Sequence, residues 1–180
     1  VHVLRASNVL LEGGGTVYGN AEHAWEAWSA VDDRMSPYFD DGAPLRTNTL
    51  LLEHSTNITV RDLRFHNSTD WTFRLDNCTN VWVERVDIYG DSRFPNNDGF
   101  DPQSCRNVTL LDSAIDVADD GICPKADKGM GPLEGLYVRN VTIRSKSHAI
   151  KFGSNTDDDM RDIVFDNITI WDSNGGMSIQ

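Results

Sequence analysis

The residues best suited to chemistry in this sequence are three aspartates and a histidine. Asp98 stands in the run NNDGFDP, the adjacent Asp119 and Asp120 begin 21 residues later, and His148 comes 28 residues after Asp120. Crowded carboxylates push one another's pKa values apart, so one can hold a proton while another stays ionised. Glycoside hydrolysis needs that combination, because one group protonates the leaving oxygen while another activates water or acts as nucleophile.

The elements that must position these residues are short strands that recur along the chain. Apolar and polar residues alternate with a period of two over five segments, 58–65, 81–88, 108–115, 136–143 and 163–170. Asn-Val or a close variant recurs as well, beginning at Asn8, Asn57, Asn80, Asn107, Asn140 and Asn167. Strand sets that repeat every 20 to 30 residues are typical of a solenoid. A β-sandwich also has frequent turns but requires no self-similarity of this period, so we expect an all-β parallel β-helix.

In such a solenoid the candidate residues would lie close together. The 21 residues from Asp98 to Asp119 are near one coil length, and neighbouring coils stack roughly 5 Å apart. His148 would occupy the next coil. A regular strand would bury either Asp119 or Asp120, and an unpaired buried carboxylate is costly. We therefore predict a bend or bulge that turns both aspartates outward.

Composition limits the possible classes of protein. The 180 residues are 39% hydrophobic, which fits one domain with a real core. The net charge of −12 argues against nucleic-acid binding. The sequence contains no run of 18 apolar residues, so it predicts no membrane span. The chain begins and ends in strand-like runs, VHVLRASNVLL and GGMSIQ, so we expect residues 1–180 to be a single partial β-helix domain of a longer chain, incomplete at both ends.

The three cysteines indicate neither a zinc site nor a redox site. Cys78 and Cys105 both occur as Cys-x-Asn-Val, which predicts equivalent places in successive repeats, and Cys123 follows the aspartate pair. There is no Cys-x-x-Cys spacing. We interpret all three as small buried hydrophobic residues, and we expect neither a metal nor another cofactor.

Three motifs together resemble the polygalacturonases, glycoside hydrolase family 28. They are NNDGFDP (96–102), VADDGICPK (117–125) and SHAIKFGS (147–154), in the order of the family's Asn-Thr-Asp-Gly, Asp-Asp and Gly-His-Gly patterns. The resemblance implies a right-handed parallel β-helix and hydrolysis of pectin with inversion. It also implies that Asp119 is the general acid, that Asp98 and Asp120 activate water, and that His148 supports the acid's protonation and geometry.

The sequence departs from the family pattern at several positions. Asn97 replaces the family's Thr, and Ser147 and Ala149 replace the glycines around His148. Where the family has Arg-Ile-Lys, whose cations hold the galacturonate carboxylate, this chain has Ser178-Ile179-Gln180. Lys151 lies between apolar neighbours and should point outward as a substitute cation. We expect Lys151, Ser178 and Gln180 to contact substrate.

Two other functions fit the residues. A calcium-dependent pectate-lyase-like enzyme would use Asp98, Asp101, Asp119 and Asp120 as oxygen ligands and Lys125 or Lys151 as base, but it leaves His148 without a role. A non-catalytic carbohydrate-binding β-helix would not need the carboxylate pair and histidine. We favour a secreted (or, in bacteria, periplasmic) monomer that acts on a pectic or related uronic-acid polysaccharide, without cofactor, nucleic acid or membrane.

Overall fold

The computed structural model describes residues 1–29 and 46–180, which consist mainly of short β-strands. These residues include a single helix, α1 (Ala21–Ser29). No helix in these two ranges has the length and apolar character needed to cross a membrane. The strands, in chain order, are β1 (His2–Leu4), β2 (Ser7–Glu12), β3 (Thr16–Tyr18), β4 (Leu50–Glu53), β5 (Thr56–Arg61), β6 (Arg64–His66), β7 (Phe73–Asp76), β8 (Thr79–Glu84), β9 (Asp87–Tyr89), β10 (Phe100–Gln103), β11 (Arg106–Val117), β12 (Leu133–Ser145), β13 (His148–Phe152), β14 (Met160–Ile170) and β15 (Gly175–Ile179).

The strands stack in parallel on successive coils. In sheet A, β1, β4, β7 and β10 pair in that order. Single bridges from Phe100 to Ile122 and from Ile122 to Ile150 continue the stack to β13, which pairs with β15. In sheet B, β2, β5, β8, β11, β12 and β14 pair in succession, and β3, β6 and β9 join it through β11. The predicted parallel β-helix is confirmed, with about five turns.

The core lies inside the coils, because every second residue of a strand points inward. Ile58, Val81, Val108 and Leu136 occupy one register row across four coils, and all four are buried. Burying each such side chain contributes roughly 1.5–3 kcal/mol. The apolar alternation that predicts strands in the sequence is therefore also the pattern that stacks the core.

Asparagines with positive φ turn the chain at the coil corners. Asn8, Asn57, Asn80 and Asn107 are each the second residue of a strand in sheet B, and each has φ between 55° and 58°. Asn tolerates this left-handed conformation better than most residues. The amides of Asn57, Asn80 and Asn107 each donate to the preceding asparagine of the column, at 3.2, 3.0 and 2.8 Å.

The Asn-Val repeat of the sequence does not form a single column. Asn140 donates to Asp112 at 2.6 Å, and Asn167 donates to Asn140 at 3.1 Å. These three residues lie within the long strands β11, β12 and β14, at a second corner of the coil. The same dipeptide therefore serves two different corners.

Cys78 and Cys105 hold the equivalent places that the sequence predicts. Each directly precedes a strand of sheet B, and the backbone N–H of Cys78 donates to Cys105 Sγ at 3.3 Å. Both thiols are buried, as is that of Cys123, and all three are free.

Candidate active site

Asp98, Asp120 and His148 lie on three successive coils, one above another. The N–H of Gly99 donates to the Asp120 carbonyl at 2.9 Å, and the N–H of Gly121 donates to the His148 carbonyl at 2.9 Å. The structure therefore brings these three predicted catalytic residues together. The register differs from the expectation by one residue, since Asp98 stacks on Asp120 and Asn97 stacks on Asp119.

Glycines allow the coils to approach closely beside this column. A Cβ on Gly99 would lie 2.4 Å from the Gly121 carbonyl oxygen, and one on Gly121 would lie 2.5 Å from the Ala149 carbonyl oxygen. Backbone atoms cannot give way at such distances without moving a coil. The glycines after Asp98 and Asp120 are therefore needed for packing.

The aspartate pair lies in a bend rather than in a strand, because β11 ends at Val117. The bend is held by the side chain of Asn97, whose Oδ1 accepts from the N–H of Ala118 at 2.8 Å and of Asp119 at 3.3 Å. From the next coil, the Ser145 hydroxyl donates to the Asp119 carbonyl at 2.6 Å. The predicted bend is present, but no pattern in the sequence indicates that Asn97 and Ser145 hold it.

Asp120 is almost fully buried, and donors from the next coil surround its carboxylate. Oδ1 accepts from the Ser147 hydroxyl at 2.8 Å and from the His148 N–H at 3.2 Å. Oδ2 lies 2.8 Å from Lys151 Nζ. The His148 ring is near the same carboxylate, with Nδ1 3.5 Å from Oδ1 and 3.3 Å from the Ser147 hydroxyl. Because the buried Asp120 carboxylate is paired, its burial does not carry the energetic cost expected of an unpaired carboxylate.

Asp119 is half-buried, and its pKa is raised. Burial is the main cause and the nearby charge of Asp120 adds to it, while Lys151 opposes both. The pKa of Asp98 is raised well above the usual range, again chiefly by burial and next by the charge of Asp101, with Lys125 opposing. The site therefore contains carboxyls that retain protons at a pH where an exposed aspartate is ionised.

A buried ion pair adjoins Asp98. Lys125 Nζ donates to Asp101 Oδ1 at 2.6 Å and lies 4.0 Å from Asp98 Oδ2. Burial raises the pKa of Asp101 to about 6, although Lys125 opposes the shift. Sequence reasoning considered these two residues only as part of a calcium site. A signal was available in the spacing, since Lys125 follows Asp101 by 24 residues, which is near one coil length.

This cluster offers a poor site for a cation. Ligand atoms of Asp98, Asp101 and Cys123 lie within 4.8 Å of one another. However, the ammonium of Lys125 already contacts Asp101, and a thiol is not a ligand that Ca²⁺ prefers. The residues present therefore fit an internal ammonium better than a hard metal ion.

Of the predicted substrate contacts, only Lys151 makes a direct contact with the column among the described residues. Lys151 pairs in register with Ser178 on the next coil, where Ser178 is half-buried. The ammonium of Lys151 is not free, because it contacts Asp120. Gln180 follows the end of β15 and lines a depression with Phe152 and Ile163. Within residues 1–29 and 46–180, no hydrogen bond joins Gln180 to the predicted catalytic residues.

Comparison with known proteins identifies the family. The sequence profile of the glycosyl hydrolases family 28 matches residues 1–180, and the chain belongs to this family. It is 26% identical over 178 residues to a polygalacturonase of Persea americana, covering 97% of this chain and 36% of that protein. It is 24% identical over 186 residues to the alpha-L-rhamnosidase rgxB of Aspergillus niger, covering 87% and 42% respectively.

A solved structure gives the same fold. The hyperthermoactive exopolygalacturonase of Thermotoga maritima superposes with a TM-score of 0.84 and 22% sequence identity, covering 99% of this chain and 48% of that one. The chain thus spans less than half the length of each of these relatives.

Proposed function

We propose that the protein is an inverting glycoside hydrolase that cleaves α-glycosidic bonds of a pectic polysaccharide, either polygalacturonan or rhamnogalacturonan. The observation that carries the proposal is the column of Asp98, Asp120 and His148 on successive coils, with Asp119 beside it. Family membership supports hydrolysis, and the names of the relatives support a pectic substrate. Residues 1–180 would be one part of the catalytic β-helix.

Asp119 is the proposed general acid. It is more exposed than Asp98 or Asp120, so it can reach the glycosidic oxygen, and its raised pKa lets it hold a proton to a higher pH than an exposed aspartate does. Asn97 and Ser145 hold its backbone in place. Proton donation to the leaving oxygen breaks the bond from the sugar's anomeric carbon as water attacks the opposite face.

Asp98 and Asp120 are the proposed water-activating carboxylates. They lie on adjacent coils, so an oxygen of each can accept from one water molecule, and one of them takes the proton released by attack. His148 is proposed to support the acid through Ser147, whose hydroxyl lies 3.3 Å from His148 Nδ1, donates to Asp120 Oδ1 at 2.8 Å and lowers the pKa of Asp119.

Lys151, Ser178 and Gln180 are the proposed substrate contacts. Lys151 carries a positive charge beside the acid, and Ser178 adjoins it on the next coil. We assign Gln180 to a peripheral substrate contact, because among the described residues it makes no hydrogen bond to the carboxylates. A uronate or a neutral sugar with ring hydroxyls could meet this set, which leaves both pectic backbones as substrates to test.

The paired lysines argue against a lyase. A lysine base needs a lowered pKa in order to accept a proton near neutral pH. Although burial lowers the pKa of Lys125 and of Lys151, the adjoining carboxylates outweigh it and raise both. Each ammonium also contacts a carboxylate that calcium would require.

We propose that the protein acts outside the cytoplasm, because its proposed polymeric substrate is extracellular. We also propose that it acts as a monomer. The polysaccharide is its only proposed partner.

The test uses the full-length protein on polygalacturonate and on rhamnogalacturonan, in EDTA and in Ca²⁺. We expect new reducing ends in EDTA, no absorbance near 235 nm, and loss of activity in Asp119→Asn. Absorbance that develops only with Ca²⁺ would indicate β-elimination and refute hydrolysis. Binding of either polymer without any product would indicate the non-catalytic class.

A further inference from the structure

Lys125 is a charged residue in a position where charge is costly. Its side chain is only 4% exposed, and lysine is almost never buried to this extent unless it is paired. The ammonium lies 2.6 Å from Asp101 Oδ1, 4.0 Å from Asp98 Oδ2 and 3.5 Å from the Cys123 carbonyl oxygen. The ring of Trp71 covers it, with the ring centroid 4.2 Å from Nζ.

Stability alone does not account for this arrangement. One ammonium faces two buried carboxyls, and the second oxygen of Asp101 has no hydrogen-bond partner in the part of the chain that the structure describes. Buried ion pairs of this kind can often be replaced by apolar residues without loss of stability, and an unpartnered buried oxygen adds a further cost. The arrangement does, however, place the ammonium between a fixed anchor, Asp101, and a proposed water-activating group, Asp98.

We propose that Lys125 is a positioning residue for hydrolysis: anchored by Asp101 and covered by Trp71, it favours the ionised form of the Asp98 carboxyl and holds that carboxyl in place to activate water. The proposal rests on the proposed function, because it assigns Lys125 a role through Asp98. Lys125 need not touch the substrate.

The groups that face Asp98 show why a cation is needed there. Burial and three neighbouring carboxyls all raise its pKa, and Lys125 is the cation that lowers it. The neighbours on the same coil and on the coils packed against it are Asp101, Asp119, Asp120, Cys123, Lys125 and Trp71. Without the ammonium, Asp98 would hold its proton to a higher pH and could accept one from water only above that pH.

Two opposite substitutions test this role. Lys125→Met removes the ammonium, and Asp101→Asn removes the competing carboxylate so that the ammonium is left to Asp98. We expect the acid limb of the kcat/KM profile to move up by about one to three pH units in Lys125→Met and to move down in Asp101→Asn. KM should change little in either variant. Lys128→Met and Asp157→Asn, at exposed positions, are the charge-matched controls and should leave the limb in place.

A second measurement follows Asp98 directly. The ¹³C signal of its carboxyl, assigned by its disappearance in Asp98→Asn, should titrate at higher pH in Lys125→Met and at lower pH in Asp101→Asn. If Lys125→Met folds poorly, the double variant Lys125→Met/Asp101→Asn leaves no unpaired charge at Asp101, and its limb should fall between those of the two single variants.

The outcomes separate the two proposals. Equal loss of activity at every pH, with a lower Tm and an unmoved limb, would mean that the pair is only structural and would overturn the role of Lys125. Hydrolysis that persists in Asp98→Asn, or a wild type that yields no product, would overturn the proposed function and this role with it.

Discussion

Replacing Asn97 with alanine should disable the aspartate bend while leaving the solenoid intact. Asn97 is fully buried. Its side chain accepts from the N–H groups of Ala118 and Asp119 and donates to the Asp91 carbonyl at 3.0 Å. Alanine would remove all three hydrogen bonds and leave a space where the amide stood. The two N–H groups belong to the segment that carries the proposed acid.

The expected loss follows from those contacts. A buried polar group left without its partner costs about 1–3 kcal/mol. Residues 118 and 119 are half-buried, so water can replace part of what is lost and the lower end of the range applies to each N–H. We expect Asn97→Ala to lower the free energy of unfolding by about 2–4 kcal/mol. A shift of Asp119 by about 1 Å would lower kcat roughly 100-fold, with KM nearly unchanged.

Urea denaturation and steady-state kinetics on the preferred pectic polymer measure the two effects. Asn97→Thr is the matched control, because the family pattern has Thr here and its hydroxyl can accept one of the two N–H groups. We expect it to recover much of kcat and part of the stability. An Asn97→Ala variant with wild-type kcat and an unchanged urea midpoint would show that the bend does not depend on this side chain.

Three further predictions concern packing and charge. Gly121→Ala should lose about 1–3 kcal/mol of stability in urea denaturation, because its Cβ would meet backbone at 2.5 Å. The control is Gly176→Ala, whose Cβ would have no atom within 4 Å and whose stability should be nearly unchanged. Equal losses of stability in both variants would refute the packing argument. The raised folded pKa of Asp98 means that wild-type stability falls as pH rises from the unfolded value of 3.8 through the folded value. Asp98→Asn has no carboxyl to ionise at this position, so it should unfold at a higher temperature than wild type at pH 7 and lose that advantage near pH 4. Equal melting temperatures at both pH values would contradict the direction of the Asp98 pKa shift. Lys151→Met removes a charge that lowers the pKa of Asp119, so the basic limb of the kcat/KM profile should move up by about one pH unit. A limb that stays in place or moves down would exclude Asp119 as the group whose titration sets it.

The sequence predicts the fold well because the β-helix is specified by local pattern. Alternation with a period of two fixes which side chains are buried, and a period near one coil length fixes which strands are neighbours. The corners are less predictable from the repeat alone. Asn107 and Asn140 both precede valine, yet they turn different corners: Asn107 is the second residue of β11, whereas Asn140 lies in β12 and donates to Asp112 within β11.

The active-site register shows a similar limit. Spacing places Asp98 within one coil of the aspartate pair, but a shift of one residue decides which member it stacks on. The bend between Val117 and Ile122 sets that register, and the bend depends on Asn97 and Ser145, which lie on the neighbouring coils. The burial of Lys125 likewise depends on Trp71 from two coils away. Such contacts are long-range, and no local pattern in the sequence reports them.

The backbone spacing of the coils explains why this site can hold a proton donor. The hydrogen bonds at Gly99 and Gly121 fix the distance between coils, so the carboxyls cannot move apart to relieve their repulsion. The cluster contains four carboxyls and two ammonium groups: Asp98, Asp101, Asp119, Asp120, Lys125 and Lys151. Each ammonium contacts one carboxyl directly, at 2.6 Å and 2.8 Å, which leaves two carboxyls without a direct cation. Protonation is then the least costly way to reduce the remaining charge. Burial is the main cause of the raised pKa of Asp119, and this excess of carboxyls adds to it, which suits the proposed role of Asp119 as the acid. The same two causes raise the pKa of Asp98, and Lys125 opposes them.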